Sequence, residues 1–268
     1  FPTPEIHAPQ CFMGAAALPF YRTDANRFSA RWYSEKSGSF TMTVKHPRLT
    51  AWEKRVEVFR QGEGRAITAE GLQIQVPAET PYGRLFLILR LESDAPASPL
   101  TPLSPAWRID PFDAPLAKDI TISLPLPEGA DRQAAIYRAN GGGWTWLKTT
   151  RQGNFLSAAT STTGIFRVYK DDRSPRIQQF IPENQTPIEN RRPMIRAMVE
   201  DTGSGIADWE VTCDGQWLLT AYDPEANQIT WMRDEDLPPG QHEVRLTVTD
   251  RAGNQVEQRR TILVPAGK

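Results

Sequence analysis

Apolar and polar residues alternate with a period of two along most of this chain. The alternation is regular at 72–76 (LQIQV), 209–213 (WEVTC) and 244–248 (VRLTV), as expected for strands with one buried face. No segment shows the 3.6-residue spacing of an amphipathic helix, and the 23 prolines would break long helices. The sequence therefore predicts an all-β chain built as tandem β-sandwich domains.

A charged, proline-ended segment at 170–175 (KDDRSP) is the clearest candidate for a domain boundary. With 268 residues, the chain has room for two ordinary domains. We predict one β-sandwich domain at 64–173 and a second at 174–268. Residues 1–63 contain candidate strands at 28–32, 39–44 and 55–59, which either complete the sheets of the next domain or form a partial domain.

The segment 174–268 contains short predicted strands at regular spacing. About seven strands separated by turn residues predict an immunoglobulin-like sandwich, although the paired cysteines and intervening tryptophan of antibody domains are absent. These strands are predicted at 176–181, 193–200, 207–213, 216–222, 228–232, 241–249 and 255–264. In the middle domain strands are predicted at 65–69, 72–76, 84–91, 106–110, 119–124, 133–138, 144–149, 154–158 and 164–169. Residues 85–89 (LFLIL) are apolar on both faces and predict a strand covered on both sides.

Composition and charge exclude several classes of function. With 31 basic and 32 acidic residues, the chain lacks the basic excess of a nucleic-acid-binding protein. No run approaches the roughly 18 consecutive apolar residues that would span a membrane. The chain opens at Phe1 without a leader sequence, and we interpret it as a mature or excised segment.

The two cysteines, Cys11 and Cys213, form no C-x-x-C pair, which excludes a thiolate zinc site. A long-range disulfide and two free thiols both remain open. Cys213 shares strand parity with Trp209 and Val211, which favours a small buried thiol.

An acidic, glycine-rich stretch at 201–217 (DTGSGIADWEVTCDGQW) resembles a metal-binding loop. Asp201, Asp208 and Asp214 carry oxygen ligands suited to calcium, but their spacing is not that of an EF-hand. A turn explains the stretch better. Gly203 and Gly205 permit positive φ, Asp201 can bond the amides that follow it, and 214–215 (DG) is a two-residue hairpin signal.

No catalytic motif stands out. The three histidines are His7, His46 and His242, and the last is predicted to be a hydrogen-bonded residue at the edge of the core. No G-x-S-x-G elbow, H-E-x-x-H helix or phosphate loop occurs, and 141–143 (GGG) predicts a hairpin turn. We predict no catalytic residue, no metal site and no cofactor.

The tryptophans are the remaining candidates for binding. Trp209, Trp217 and Trp231 alternate with polar residues and are predicted to lie in the core. Trp144 and Trp146 share one strand face and, if exposed, would form a platform for sugar stacking or protein binding. They are the predicted binding residues.

Several motifs, in order, resemble the β-sandwich region that follows the catalytic domain in exported bacterial lysostaphin-like zinc endopeptidases. They are SGI at 204–206, DGQWLL at 214–219, AYD at 221–223, PGQH at 239–242 and VTDRAGN at 248–254, preceded by SPAWRI at 104–109, APL at 114–116, TGIF at 163–166 and PRI at 175–177. The resemblance covers about residues 70–265 and implies an envelope setting for the parent protein.

The resemblance does not extend to catalysis. Those peptidases hold zinc through H-x-x-x-D and H-x-H patterns, whereas Pro47-Arg48 follow His46 and Glu243-Val244 follow His242. No catalytic residue can therefore be carried over to this chain.

Our leading hypothesis is a non-catalytic, exported bacterial module, periplasmic or extracellular, that positions or regulates a cell-wall hydrolase or binds an envelope partner. The alternative is a module that binds cell-wall glycan through Trp144 and Trp146. A further alternative is a calcium-dependent adhesin that uses Asp201, Asp208 and Asp250. The partner is thus a protein or a glycan, with neither nucleic acid nor a membrane span involved.

Overall fold

The computed structural model describes residues 9–24, 27–188, 191–232 and 236–266, and these residues contain strands but no helix. The all-β prediction is confirmed. Within the described part of the chain, no helical segment has the length and apolarity needed to cross a membrane. His7 lies outside the described residues.

The chain divides into two compact units. The larger unit comprises Phe1–Ser98, Pro102–Glu128 and Ile136–Tyr169. The smaller unit comprises Pro99–Thr101, Gly129–Ala135 and Lys170–Lys268.

One large sheet has the strand order β14-β13-β17-β11-β9-β6-β5-β1-β2, with β10 pairing with β17 off this path. Its strands are β1 (Gln10–Met13), β2 (Ala16–Leu18), β5 (Gly38–His46), β6 (Leu49–Arg60), β9 (Arg84–Glu92), β10 (Thr101–Pro102), β11 (Ala106–Asp110), β13 (Ala134–Asn140), β14 (Gly143–Trp146) and β17 (Gly164–Lys170). A separate hairpin consists of β3 (Phe20–Asp24) and β4 (Arg27–Ala30). Strands β1, β2, β5 and β6 of the N-terminal segment thus join the large sheet through the pairing of β6 with β9, whereas β3 and β4 do not.

A five-stranded sheet in the larger unit has the order β15-β16-β12-β8-β7. Its strands are β7 (Arg65–Ala69), β8 (Leu72–Val76), β12 (Pro115–Pro125), β15 (Thr149–Gln152) and β16 (Phe155–Thr162). Burial alternates along β8, where Leu72, Ile74 and Val76 are buried and the residues between them are exposed. The period-two pattern in the sequence therefore marks the inner face of this sheet.

Strand β9 is covered on both faces, as its sequence predicts. Leu85, Leu87 and Leu89 are buried. On the opposite face, Phe86 and Ile88 pack against a second cluster, which contains Met13, Val56 and Val58. Apolar residues on both parities are stable here because each face of the strand has its own apolar partner.

A buried ion pair connects the two sheets of the larger unit. The Glu57 carboxylate on β6 is fully buried and accepts hydrogen bonds from Arg65 on β7 and from Ser39, with Arg55 as a further ionic partner. The Arg65 guanidinium also lies 4.1 Å from the centroid of the Phe59 ring. Burying a carboxylate is costly unless it is paired and hydrogen-bonded, and this arrangement supplies both.

The smaller unit is formed by two sheets, of order β18-β20-β24-β23 and β19-β26-β25-β21-β22. The strands are β18 (Arg176–Ile181), β19 (Thr186–Pro187), β20 (Met194–Glu200), β21 (Ile206–Cys213), β22 (Gln216–Trp217), β23 (Ala221–Asp223), β24 (Gln228–Met232), β25 (Gly240–Asp250) and β26 (Gln255–Val264). The inward residues Val244, Leu246 and Val248 are at most 1% exposed, so the predicted parity of this strand is confirmed.

The predicted strand at 216–222 is wrong. The segment divides into β22, which pairs with β21, and β23, which pairs with β24 in the other sheet. Trp217 therefore lies on a two-residue edge strand and is 63% exposed, which contradicts its predicted core position. Trp231 is buried as predicted, and Trp209 is partly buried against the core.

Both cysteines are buried and neither forms a disulfide, so the alternative of a disulfide is excluded. Cys213 lies in the core of the smaller unit, as predicted. Burial raises the pKa of the Cys11 thiol. Cys11 therefore lacks the exposed, acidic character of a reactive thiol.

Candidate functional site

The larger unit contains a groove of about 540 Å³, within the range of small-ligand sites. It lies where the start of β9 approaches the turn between β11 and β12. Register places these segments together, because Asp110 at the end of β11 pairs with Ile88 of β9. The groove is lined mainly by apolar residues: Thr80, Pro81, Tyr82, Arg84, Leu85, Phe86, Ile88, Asp110, Pro111, Ala114, Pro115 and Leu116.

Backbone hydrogen bonds fix the wall that carries Thr80. The Thr80 N–H donates to Pro77 O at 3.2 Å, and Thr80 O accepts from Ala117 N at 2.9 Å. The second bond ties this wall to β12. The wall is therefore held in place before any ligand arrives.

The opposite wall is positioned by Thr163, a fully buried residue between β16 and β17. Its hydroxyl donates to Pro111 O and accepts from Ala114 N at 2.9 Å. Arg138 supports the same turn by donating to the Asp113 carboxylate at 2.8 Å. Thr163 is thus a positioning residue for the groove.

The Thr80 hydroxyl is the most unusual polar group of the groove. The residue is 0% exposed, and within the described chain its Oγ1 has no hydrogen-bond partner. A buried hydroxyl without a partner costs about 1–3 kcal/mol.

The negative charge of Asp110 in the groove is compensated by two arginines. The Asp110 carboxylate accepts from Arg108 Nε at 2.7 Å and from Arg90 Nε at 3.4 Å. The hydrogen bond with Asp110 raises the pKa of Arg108, with its pairing to Glu92 adding to the effect. These pairs neutralise Asp110, while Arg84, the other charged residue of the groove, stacks on the Tyr33 ring.

An exposed aromatic ring stands at the groove. Tyr82 is 73% exposed, although it lines the groove together with the buried Pro81. Large exposed aromatic side chains beside a concave apolar surface are common in binding sites. The groove thus combines a flat ring, an apolar floor and a few polar groups.

The predicted binding residues Trp144 and Trp146 lie elsewhere, on β14 at one edge of the large sheet. Both are half-buried. The Trp144 indole N–H donates to Pro96 O at 3.0 Å, and its ring packs on Tyr169 with centroids 4.9 Å apart. The platform formed by the two tryptophans stays a prediction, with one of its rings anchored to the protein.

The acidic loop that begins at Asp201 forms a turn, as predicted, but Gly203 does not have the predicted conformation. Asp201 Oδ2 accepts from the N–H groups of Gly203 and Gly205 at 3.0 and 2.6 Å, as predicted. Gly205 has φ +85°, whereas Gly203 lacks a positive φ. Glycine is needed at 203 for another reason, because a Cβ there would lie 2.1 Å from Asp171 Oδ2.

This turn brings three carboxylates together in the smaller unit. Oxygens of Asp171, Asp201 and Asp250 lie within 4.8 Å of one another. Burial, reinforced by the neighbouring carboxylates, raises the pKa of Asp201 and of Asp250. Carboxylate oxygens are suitable calcium ligands, but Asp208, the third residue of the calcium hypothesis, is not part of this cluster.

His242 is a hydrogen-bonded residue at the edge of the core, as predicted. Its ring nitrogens lie 2.6 Å from Asp214 Oδ2 and 2.8 Å from Pro238 O. Asp214 and Gly215 have φ of 51° and 79°, which confirms the predicted two-residue hairpin turn. The Asp214 carboxylate also accepts from Glu243 N, so these side chains brace the hairpin.

No recognised motif marks the groove, although its sequence contains a signal. Two segments that contribute lining residues contain an aromatic residue next to proline, 80–82 (TPY) and 110–112 (DPF). Phe112 is 40% exposed and, like Tyr82, lies outside the core. An aromatic residue in a proline-bounded turn of a β protein is therefore worth testing as a ligand contact.

No model of a known protein family matches the chain, and no curated protein matches it. Among solved structures it is similar to an endo-β-1,4-mannanase from Thermotoga petrophila, with 18% identity and a TM-score of 0.31 over 36% of this chain and 21% of the mannanase. It is also similar to fibronectin(III)-like modules of Clostridium thermocellum CbhA, with 15% identity and a TM-score of 0.29 over 66% of this chain and 94% of that one.

A third similar structure is a Bacteroides ovatus protein from a mixed-linkage glucan utilization locus, solved in complex with a mixed-linkage heptasaccharide. Identity is 14% and the TM-score 0.21, over 97% of this chain and 62% of that one. With TM-scores this low, the ligand has to be inferred from the groove itself.

Proposed function

We propose that this chain is a non-catalytic binding module and that its groove binds a neutral carbohydrate. The observation that carries the proposal is the exposed ring of Tyr82 on an apolar groove whose polar side chains include Arg84 and Asp110. Glycan binding is the alternative that the sequence offered, and the proposed site is the groove instead of Trp144 and Trp146.

The chemistry of a sugar ring matches this groove. A pyranose has an apolar face of C–H groups, which packs on a flat aromatic ring such as Tyr82. Its hydroxyls both donate and accept, so they can bond Arg84 or Asp110. The charge of Asp110 is already paired with Arg90 and Arg108, which disfavours a basic peptide as the ligand.

The setting of the module belongs to the same proposal. The resemblance at 204–219 and 248–254 to the region that follows exported cell-wall peptidases supports an extracellular or periplasmic role. A module that holds glycan beside a hydrolase would raise the local concentration of the substrate. Binding of a protein partner in the envelope is the competing function.

The test is binding of the purified chain to soluble oligosaccharides of N-acetylglucosamine and of glucose, measured by isothermal titration calorimetry. We expect Tyr82→Ala to weaken binding about tenfold or more, because a central aromatic contact is lost. Tyr21→Ala is the matched control, since Tyr21 is a similarly exposed tyrosine (62%) of the larger unit that does not line the groove.

Two results would contradict the proposal. If the wild type binds neither sugar series, the carbohydrate ligand is wrong. If binding survives Tyr82→Ala but is abolished by the Trp144→Ala/Trp146→Ala double variant, the ligand lies on the tryptophan platform instead.

The calcium-dependent adhesin has one observation in its favour, the convergence of Asp171, Asp201 and Asp250. If these carboxylates held calcium in the folded state, millimolar calcium would raise the unfolding temperature of the chain and a chelator would reverse the effect. An unfolding temperature that neither addition changes would exclude this function.

A further inference from the structure

We infer that the sugar-binding surface continues from the groove onto Tyr33, so that the ligand is an extended glycan chain rather than a single sugar. This inference rests on the proposed function. It assigns a second aromatic subsite and makes Arg84 the residue that connects the two.

Arg84 belongs to the groove and contacts Tyr33 directly. Its guanidinium carbon lies 4.1 Å from the centroid of the Tyr33 ring, and its Nη1 donates to Ser34 O. Tyr33 is 64% exposed, so one side of its ring is held by Arg84 while much of the residue faces solvent. A flat, exposed ring therefore lies next to the groove at the Arg84 side.

The segment that carries Tyr33 is fixed to the large sheet. The neighbouring Trp32 ring packs edge-on against Phe86, with centroids 5.8 Å apart, and Phe86 lines the groove. Arg60 adds a hydrogen bond to Glu35 O at 3.3 Å. Anchoring on both sides places Tyr33 before ligand binds, which limits the entropy lost on binding.

Two exposed aromatic rings, Tyr82 in the groove with Arg84 and Tyr33 stacked on Arg84, suit a ligand with repeated flat units. One pyranose covers one aromatic ring, so Tyr82 and Tyr33 together call for more than one sugar. Arg84 carries five N–H donors, more than its bond to Ser34 uses, and can serve hydroxyls between the two rings. A single apolar side chain of a protein partner would not need the second ring.

The experiment measures affinity against oligosaccharide length. Oligomers of N-acetylglucosamine and of glucose, from the monosaccharide to the hexasaccharide, are titrated into wild type, Tyr33→Ala, Tyr33→Phe and Tyr21→Ala. In the wild type, affinity should rise with length by about 5- to 10-fold beyond the shortest oligomer that binds, the contribution of one further aromatic contact.

Tyr33→Ala should abolish this gain and leave binding of the shortest ligand unchanged. Tyr33→Phe should restore the gain, because the ring is retained, and Tyr21→Ala should behave as the wild type. Since Tyr33 is largely exposed, the unfolding temperature of all variants should stay near that of the wild type, which shows that folding is intact.

The outcomes separate this inference from the proposed function. Affinity that does not depend on length, with binding still lost in Tyr82→Ala, would refute the extended site and leave the groove in place. A gain with length that Tyr33→Ala does not reduce would also refute it. Absence of binding to every oligomer would refute the proposed function itself.

Discussion

Two buried threonines of the larger unit should respond to the same substitution with opposite signs. Thr80 and Thr163 are both 0% exposed. Within the described chain, the Thr80 hydroxyl has no hydrogen-bond partner, whereas the Thr163 hydroxyl bonds Pro111 O and Ala114 N. Replacing each by valine keeps the shape of the side chain and removes only the hydroxyl.

The magnitudes follow from the hydrogen bonds. Thr80→Val removes a buried hydroxyl that is desolvated without compensation, so it should stabilise the unliganded chain by about 1–3 kcal/mol. Thr163→Val leaves a carbonyl and an N–H without their partner, and should destabilise by about 1–3 kcal/mol. For a domain of this size, these changes move the unfolding temperature by about 2–12 °C in opposite directions.

The assay is thermal unfolding of the full chain without ligand, followed by sugar titration of the same samples. Thr80→Val should bind sugar with the affinity of the wild type, because the fully buried hydroxyl lies out of reach of a ligand in the groove. If Thr80→Val is destabilised like Thr163→Val, the Thr80 hydroxyl has a partner and the reasoning is wrong.

Two further predictions concern charge. Arg65→Met should lower the free energy of unfolding, measured by denaturant, by about 3–5 kcal/mol, because the buried Glu57 loses an ionic partner. Adding Glu57→Leu should recover most of this loss. An Arg65→Met variant as stable as the wild type would refute the role of the ion pair. Asp201→Asn should stabilise the chain at pH 7, and this advantage should shrink as the pH falls toward 4. The pKa of Asp201 is raised in the folded state, so the folded wild type binds a proton at a higher pH than the unfolded wild type does. As the pH falls, this protonation stabilises the folded wild type and narrows its difference in stability from the variant. An advantage that stays constant with pH would contradict this assignment.

The strands could be predicted from the sequence because alternation reports local burial. The strands β7 at 65–69, β18 at 176–181 and β26 at 255–264 have the predicted bounds. Errors arose where the chain crosses from one sheet to the other, as at 216–222 and at 144–149, where β14 and β15 pair in different sheets. At such crossings the apolar pattern continues while the strand ends, so alternation alone cannot locate the break.

The site was harder to predict because its parts are brought together by pairing between distant strands. Tyr82 precedes β9 and Pro111 follows β11, and these two strands pair with each other in the large sheet. The local sequence pattern does not report the register of that pairing. The acidic cluster was missed in part for the same reason. Asp171 lies in the predicted linker and meets Asp201 only after folding, where Ser204 N donates to it at 2.6 Å.

The ligand-induced shifts in an amide-resolved NMR spectrum of the chain test the central claim most directly. On titration with the N-acetylglucosamine and glucose hexasaccharides, we predict the largest shifts at Tyr82, Arg84, Phe86 and the 110–116 turn, with the indole signals of Trp144 and Trp146 unchanged. Shifts concentrated at those two indoles or in the smaller unit, or no shift with either sugar, would contradict a carbohydrate site in the groove.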